Sequence, residues 1–474
     1  MVSAGRRCVV VVGGGISGLA AAWELSGGGD GPTDRTPDVI VIEASDRLGG
    51  ALRTVEFGGR PVDVGPDGFL GRRPEALDLC REVGLDDALV PIGRRGAGVW
   101  SRGRVRTLPE GLALGIPTRW WPTARSGILG FRGQMGLARD ALLPRPDVRG
   151  PLGDRSIGPL VTRKLGHTVV DVLADPLIGG IHAGSVDDMS AAATFPPLLA
   201  AAQRKGSFMR ALRAEVPTPA PDAPPLFWAL HSGMASLIAQ LRTTLTGRGV
   251  TFHLNSAVEQ MMRSGTGWTI AAGHGTVTAD AIVLAQPAPE TSRLLQPHDD
   301  EASGLLGSID YASVTLVTLR LAEDAVPEPL AGTGFLVPRH GTKPGTSDSW
   351  AVTACTYLSQ KWPSLAQEGE ILLRASLGRF GDDRASGWSD EEVVERVWSE
   401  LGTLMKVQGT PLESMVTRWP LAFPQYRVHH LMRTAGIESS VSHLGGVAVA
   451  GAAYRGVGIP ACIASGRAAA QAIA

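Results

Sequence analysis

Lysine is scarce in this chain of 474 residues: only five occur, Lys164, Lys205, Lys343, Lys361 and Lys406, and arginine supplies the remaining basic side chains. With Ala, Gly and Pro abundant, this reads as a compositional bias and not as a functional signal. No sign of charge dominates. The 45 basic and 46 acidic side chains leave a net charge of -1, which gives nucleic acid and anionic surfaces no bulk electrostatic pull, although a local basic patch is compatible with it. Cysteine is nearly absent. Cys8, Cys80, Cys355 and Cys462 are widely scattered, with no CxxC and no Cys/His cluster, so no zinc site and no disulfide framework is expected. Small apolar fillers in a reduced, cytoplasmic protein are the plain expectation. Aromatic residues make up 5%, with four Tyr. No run approaches the ~20 apolar residues that span a bilayer. Arg6-Arg7 before Cys8–Trp23 has the outline of a signal peptide, but Gly13-Gly14-Gly15 interrupts the apolar run and fits another motif better.

What is present is ordinary globular material, 43% hydrophobic, long enough for two or three domains. Cys8–Val12 is a short β-branched run typical of a strand buried on both faces. Gly13–Gly18 reads as a turn, Leu19–Leu25 as a helix, Gly27–Asp38 as a loop and Val39–Ile42 as a second strand ending at Glu43. The segment from 74 to about 210 reads as mainly helical. Glu215–Pro225 holds five prolines in eleven positions and reads as a linker. Strand-like runs follow at Val250–Leu254, Trp268–Ala271 and Ala281–Leu284, then at Ser313–Leu321, Ala351–Tyr357, Ile371–Leu377 and Ser414–Trp419. Helical spacing covers Glu391–Met405. The end returns to the opening pattern, with strand Val447–Ala450, a Gly-rich turn and helix Pro460–Ile473. There is no internal repeat.

The chemistry-bearing motif is Val12-Gly13-Gly14-Gly15-Ile16-Ser17-Gly18. It fits GxGxxG between a strand and a helix. Gly13 permits the tight turn, Gly15 the approach of a pyrophosphate, and Gly18 close helix–strand packing. The helix N-terminus offers free N–H groups to the phosphates. Glu43 at the end of the second strand suits ribose hydroxyls and repels a 2′-phosphate, so a dinucleotide other than NADP is expected.

Glu43-Ala44-Ser45-Asp46-Arg47-Leu48-Gly49-Gly50-Ala51 resembles the ExxxRxGG extension of the flavoprotein oxidase superfamily, which includes amine oxidases, carotenoid desaturases and porphyrinogen oxidases. The resemblance implies FAD, with Arg47 and the Gly pair lining its pyrophosphate and ribityl chain. Val62-Asp63-Val64-Gly65-Pro66-Asp67-Gly68 resembles the next segment, beside the flavin ring. Val258, after Asn255-Ser256-Ala257, resembles the adenine-clamping position. Val457-Gly458-Ile459 opens the last helix, whose N-terminus would favour charge at the flavin N1/O2 edge. The implied fold is α/β plus α+β: a Rossmann-like FAD-binding domain, a strand-rich substrate domain and a helical insertion, as in monoamine oxidases. The expected division is 1–75, 225–295 and 436–474 for FAD, 76–215 for the helical part and 296–435 for the strand-rich part.

Further strings narrow the resemblance to the protoporphyrinogen/coproporphyrinogen oxidase family. Pro176-Leu-Ile-Gly179-Gly180-Ile-His182-Ala183-Gly184, with Ser190 and Phe195-Pro196, is similar to its PxxGGxxAG…S…FP stretch. Trp419 to Tyr426 resembles its W…PQY segment, but His429-His430 stands where the family has Gly-His. Gly456-Val-Gly-Ile-Pro460 matches its ending. The style of the ending resembles coproporphyrinogen III oxidases of Gram-positive bacteria. The family's propionate Arg aligns with Ala97 here, while Arg94, Arg95, Arg102 and Arg104 lie close by. Arg72, Arg73, Arg95 and Tyr426 are the substrate-side candidates, and a basic mouth favours a substrate with four carboxylates over one with two.

The resemblance implies a six-electron oxidation of coproporphyrinogen III in haem biosynthesis. Hydride passes to flavin, oxygen is the acceptor, and hydrogen peroxide is released. Substrate nitrogen lone pairs stabilise the cation left by hydride loss, so no general base is nominated, and His182, His429 and His430 are read as structural. Protoporphyrinogen IX is the alternative substrate. An amine oxidase is a rival, yet Tyr311–Leu321 lacks the Lys those enzymes commonly place near the flavin. A carotenoid desaturase is another, but only Gly111–Trp121 and Ile128–Leu143 are mildly amphipathic. A flavin-free binding protein like the GDP-dissociation inhibitors is disfavoured by the complete nucleotide motif set. The resemblance further implies a transient ferrochelatase contact and at most peripheral membrane association.

Overall fold

The computed structural model describes residues 6–143, 153–216 and 224–473; part of the proline-rich stretch at 215–225 lies outside them. The chain folds into two compact units. The first comprises 1–91, 224–310 and 431–474, and the second 92–223 and 311–430.

The first unit is built on a parallel sheet. Its elements, in chain order, are β1 (Cys8–Val12), α1 (Ile16–Leu25), β2 (Asp38–Ile42), α2 (Pro74–Glu82), α3 (Ala235–Gly247), β3 (Thr251–His253), β4 (Ala281–Leu284), β5 (Val447–Val449) and α4 (Ile459–Ile473). The strand order is β3-β2-β1-β4-β5, with every pairing parallel. β1 lies at the centre and every one of its five residues is buried, which is why it reads as an unbroken Val run and not as an alternation. Leu19, Trp23, Leu79, Leu237, Leu241 and Ile463 bring the helices onto the sheet. A small antiparallel sheet, Val258–Ser264 with Gly267–Ala272 and Gly275–Ala279, follows β3.

The second unit joins a helical part to a seven-stranded sheet. The long strand Tyr311–Ala322 pairs antiparallel with Glu370–Leu377 on one side and Glu413–Pro424 on the other. Val317, Leu319, Leu373, Phe335 and Val397 pack its core. The helical part has its own core around Leu137, Ile157, Val161, Leu173 and Phe208.

Several sequence expectations shift. The segment 74–210, read as mainly helical, contains strands Leu89–Pro91, Gly98–Ser101, Arg104–Thr107, Leu112–Ala113 and Ile116–Pro117. Gly98 and Val99 pair with Phe335 and Leu336, more than two hundred residues away, and no local periodicity carries such a partner. The first crossing out of the first unit comes at 91 and not 75 because Leu89–Pro91 pairs with Phe227–Leu230. The helix Asp300–Gly307 belongs to the first unit, and the helical and strand-rich segments share the second. Gly18, read as part of a turn, lies inside α1.

Candidate functional site

The GxGxxG residues lie at the junction of β1 and α1, and each glycine answers to a different constraint. Gly13 has φ +106°, and a Cβ there would come within 2.7 Å of the Ala285 carbonyl oxygen. A Cβ on Gly18 would reach 1.9 Å from the Gly13 carbonyl oxygen, so helix and turn touch backbone to backbone. Gly15 differs: a Cβ built on it meets no protein atom within 4 Å. Its lack of a side chain is not required by the fold. Gly15 is also the N-cap of α1 and offers no side-chain cap, leaving the helix N–H groups for an anion.

Glu43 closes the turn from the side. Its carboxylate accepts from the Gly14 N–H at 2.7 Å, the Ser45 N–H at 2.9 Å and the Ser45 hydroxyl at 2.7 Å. Three donors leave about one of a carboxylate's roughly four acceptor sites for a ribose hydroxyl. Arg47 donates to the carbonyls of Leu48 (3.3 Å) and Gly50 (2.6 Å), and burial together with nearby Arg53 lowers its pKa. It pins the loop Gly49-Gly50-Ala51, which the Gly49 N–H ties to the Gly14 carbonyl at 2.8 Å. Gly49 has φ +106°, and Gly50 approaches Gly15. Ala44 and Ala51 are exposed, and Ile16 lies half-buried beside buried Ser17.

The loop after β3 is laced to this turn. Asn255 N–H donates to Ser45 O at 2.8 Å and Ser256 N–H to Glu43 O at 2.9 Å. The Val258 carbonyl accepts from Arg293 at 2.8 Å, a partner 35 residues away with no local signal in the primary structure. Asp63 accepts from the Met234 N–H at 2.9 Å and the Thr54 hydroxyl at 2.5 Å, fixing the start of α3. Beyond it, Gly65 and Asp67 are buried while Pro66 is exposed and Gly68 half-buried.

The C-terminal motif joins the same unit. Gly456 has φ +144°, and the space where its Cβ would stand lies 3.8 Å from Arg73 Nη1. Arg73 pairs with Glu75 at 2.7 Å. Arg72 is exposed. Val457 and Gly458 are accessible just before α4, and Ile459 is its first, buried residue. Burial pushes the Cys462 thiol up to about 11, against the pull of its hydrogen bond to Ser17, which makes it an inert filler.

The remaining candidates lie in the second unit. Arg95 is exposed, and Trp419 is half-buried in register with Val314. Tyr426 is 3% exposed, its ring 3.9 Å from that of His430 in a stacked pair and 5.6 Å from His182. Its ring packs between these two histidines. Around it two motifs interlock. Gln425 donates to the His182 carbonyl at 3.0 Å, and the Ser190 N–H donates to the Tyr426 carbonyl at 2.8 Å. A Cβ on Gly184 would strike Gln425 at 2.4 Å. His182 is held down to about 4 by burial, with His430 adding to the effect. Among the described residues no cluster of His, Cys, Asp and Glu suits a metal ion.

An uncapped helix start, open space beside the Gly15 Cα, an acid at the second strand end and a second helix N-terminus at Gly458 fit a dinucleotide. They define a flavin-binding oxidoreductase. The chain matches the model of the flavin containing amine oxidoreductase family over residues 16–474 and belongs to that family. The FAD-dependent fold and the cofactor follow. The chain is similar to coproporphyrinogen III oxidase of Bacillus subtilis, 32% identical with 98% of each chain covered. It is likewise similar to that of Mycobacterium tuberculosis strain H37Rv, 34% identical over 98% of this chain and 96% of the relative. A crystal structure from Exiguobacterium sp. 255-15, described as a candidate protoporphyrinogen oxidase, superposes with a TM-score of 0.87 at 30% identity, covering 100% and 99% of the two chains.

Proposed function

We propose that this enzyme oxidises coproporphyrinogen III to coproporphyrin III in haem biosynthesis, with oxygen as acceptor. The full-length similarity to coproporphyrinogen III oxidases carries the reading. When bound, FAD supplies the hydride acceptor and passes electrons on to oxygen, which leaves as hydrogen peroxide. Gly13–Gly18 would hold the pyrophosphate, Glu43 the ribose, and Arg47 the loop of Gly49 and Gly50 beneath it. Gly65–Gly68 and Val457–Ile459 would flank the ring, with Val258 at the adenine; Trp419 is a further cofactor candidate by resemblance. The protein's task is to orient the macrocycle, exclude water and bind carboxylates. Arg72, Arg73 and Arg95 are the propionate candidates; Arg73, beside the Gly456 turn, is the first to test.

Protoporphyrinogen IX is the second reading, favoured by a 29% identical human protoporphyrinogen oxidase that covers 98% of both chains. No helix among the described residues is long and apolar enough to cross a membrane; peripheral association and a passing ferrochelatase contact belong to this proposal. The test is porphyrin fluorescence with both porphyrinogens, after subtraction of autoxidation. A higher kcat/KM for coproporphyrinogen supports the assignment, and a higher value for protoporphyrinogen replaces it with the second reading.

A further inference from the structure

One arginine of the second unit has no counterion among the described residues, although its backbone is held on every side. The strand Glu370–Leu377 ends at Gly378, whose φ is +86° and whose Cβ would stand 2.7 Å from the Ser313 carbonyl oxygen. The chain then closes a tight turn. The Arg379 N–H donates to the Asp382 carbonyl at 3.1 Å, and the Asp382 N–H donates to the Arg379 carbonyl at 2.8 Å. This turn is docked on the glycine-rich stretch Pro176–Gly184, where the Phe380 N–H meets the Ala183 carbonyl at 2.6 Å. Arg339 ties turn and stretch together, donating to the Gly184 carbonyl at 2.9 Å and to the Phe380 carbonyl at 3.5 Å.

The charges of this cluster do not balance. Asp175, buried on the π-helical segment Val170–Gly179, accepts from the Val186 N–H at 3.2 Å and lies 3.7 Å from Arg339 Nε. Asp382 is taken by both forks of Arg384, at 2.7 and 2.8 Å. Each acid near Arg379 is therefore committed to another cation. The half-buried Arg379 guanidinium makes no hydrogen bond and no ion pair among the described residues. Burial and the neighbouring Arg339 push its pKa down to about 10. The Arg427 guanidinium lies over the Phe380 ring, 4.9 Å from its centroid, which brings further positive charge to the same turn. A guanidinium drawn partly out of water without an acceptor is costly unless an anion meets it. Its planar fork of N–H groups matches a carboxylate. The Pro176–Gly184 stretch that holds the turn, and Gln425, which bonds to that stretch, belong to the strings by which this chain resembles porphyrinogen oxidases.

We propose that Arg379 is a carboxylate-binding residue of the second unit and takes a propionate of the porphyrinogen, with Arg339 fixing the turn that presents it. The identity of the carboxylate rests on the functional reading above. The test is binding of coproporphyrin III and of its tetramethyl ester to the holoenzyme, read by porphyrin fluorescence, alongside kcat and KM for coproporphyrinogen III. The wild type is expected to bind the tetracarboxylate about tenfold or more tightly than the ester. Arg379→Gln is expected to lose about tenfold or more of the affinity for the tetracarboxylate, to leave the ester unchanged, and to raise KM more than it lowers kcat. Arg379→Lys is expected to recover part of the loss. Because the guanidinium has no protein partner, both variants are expected to keep the wild-type Tm and flavin spectrum; a fall in either would assign Arg379 to the fold and overturn the proposal. Wild-type affinity of Arg379→Gln for both ligands would overturn it too. If Arg379→Gln abolishes inhibition by succinate but binds coproporphyrin like the wild type, the carboxylate is that of a small acid and the propionate assignment falls. A wild type that binds coproporphyrin through Arg379 yet turns over no porphyrinogen would remove the functional reading and leave the carboxylate site standing.

Discussion

Gly466 rests against Ser17: a Cβ built on Gly466 would stand 2.1 Å from the Ser17 carbonyl oxygen. The last helix thus lies backbone on backbone against the helix that opens the nucleotide motif, and the two ends of the chain make one flavin-binding unit. Gly466→Val is expected to cost about 1–3 kcal/mol or more through overpacking. The midpoint of denaturant unfolding is expected to fall, and flavin content with it.

Gly15 makes the contrasting case. Its missing side chain relieves no contact within the protein, so Gly15→Val should fold with nearly wild-type melting of the apoprotein and yet purify colourless. Circular dichroism and the flavin absorbance, measured on the same sample, check this. Loss of folding along with colour would mean that the glycine serves the fold and not the cofactor.

Glu43→Gln is expected to weaken FAD. The carboxylate accepts from Gly14 and Ser45, and an amide keeps one acceptor while presenting an unmatched donor. Hydrogen bonds to charged groups contribute about 1.5–3 kcal/mol, so flavin Kd should rise roughly 10- to 100-fold. Fluorescence titration of the apoprotein with FAD reads this directly.

Much of this was legible in the primary structure because it is local. The Val run of β1, the glycine spacing and the acid at the end of β2 each sit within a few residues of the others. The strands at 89–117 were not, since Gly98 and Val99 find Phe335 and Leu336 only in the folded unit. Arg293 reaching the Val258 carbonyl and Asp63 holding the start of α3 depend on contacts across 35 and 171 residues. Tyr426 belonged to a recognisable motif, yet only the fold reveals that its ring is buried against His430.

Acid should destabilise the second unit through His182. Its imidazole is 9% exposed and lowered from 6.5 to about 4, first by burial and then by His430. The unfolded chain therefore binds more protons than the folded one between these values, so stability is complete above about 6.5 and declines as pH falls toward 4. The full effect is on the order of 3 kcal/mol. The drop in Tm between neutral pH and pH near 5 should shrink in His182→Gln. An unchanged drop would assign the acid sensitivity elsewhere.

His429 occupies a position with φ +71°, where the resembled family carries glycine. Its side chain is exposed, and its N–H donates to Asp154 Oδ2 at 2.6 Å, an interaction glycine retains. Relief of the left-handed cost, about 1–2 kcal/mol, outweighs the extra unfolded-state freedom of roughly 0.5–1 kcal/mol. His429→Gly is thus expected to raise Tm slightly.

If this flavoenzyme oxidises coproporphyrinogen, its flavin takes electrons from that substrate directly. The most direct measurement is an anaerobic titration of the holoenzyme with coproporphyrinogen III, following flavin absorbance and porphyrin together. Flavin colour is expected to bleach as porphyrin appears, three equivalents of two-electron reduction for each six-electron product, and admitting oxygen is expected to restore the colour with release of hydrogen peroxide. Unchanged flavin absorbance with coproporphyrinogen, alongside bleaching by a simple amine, would contradict it.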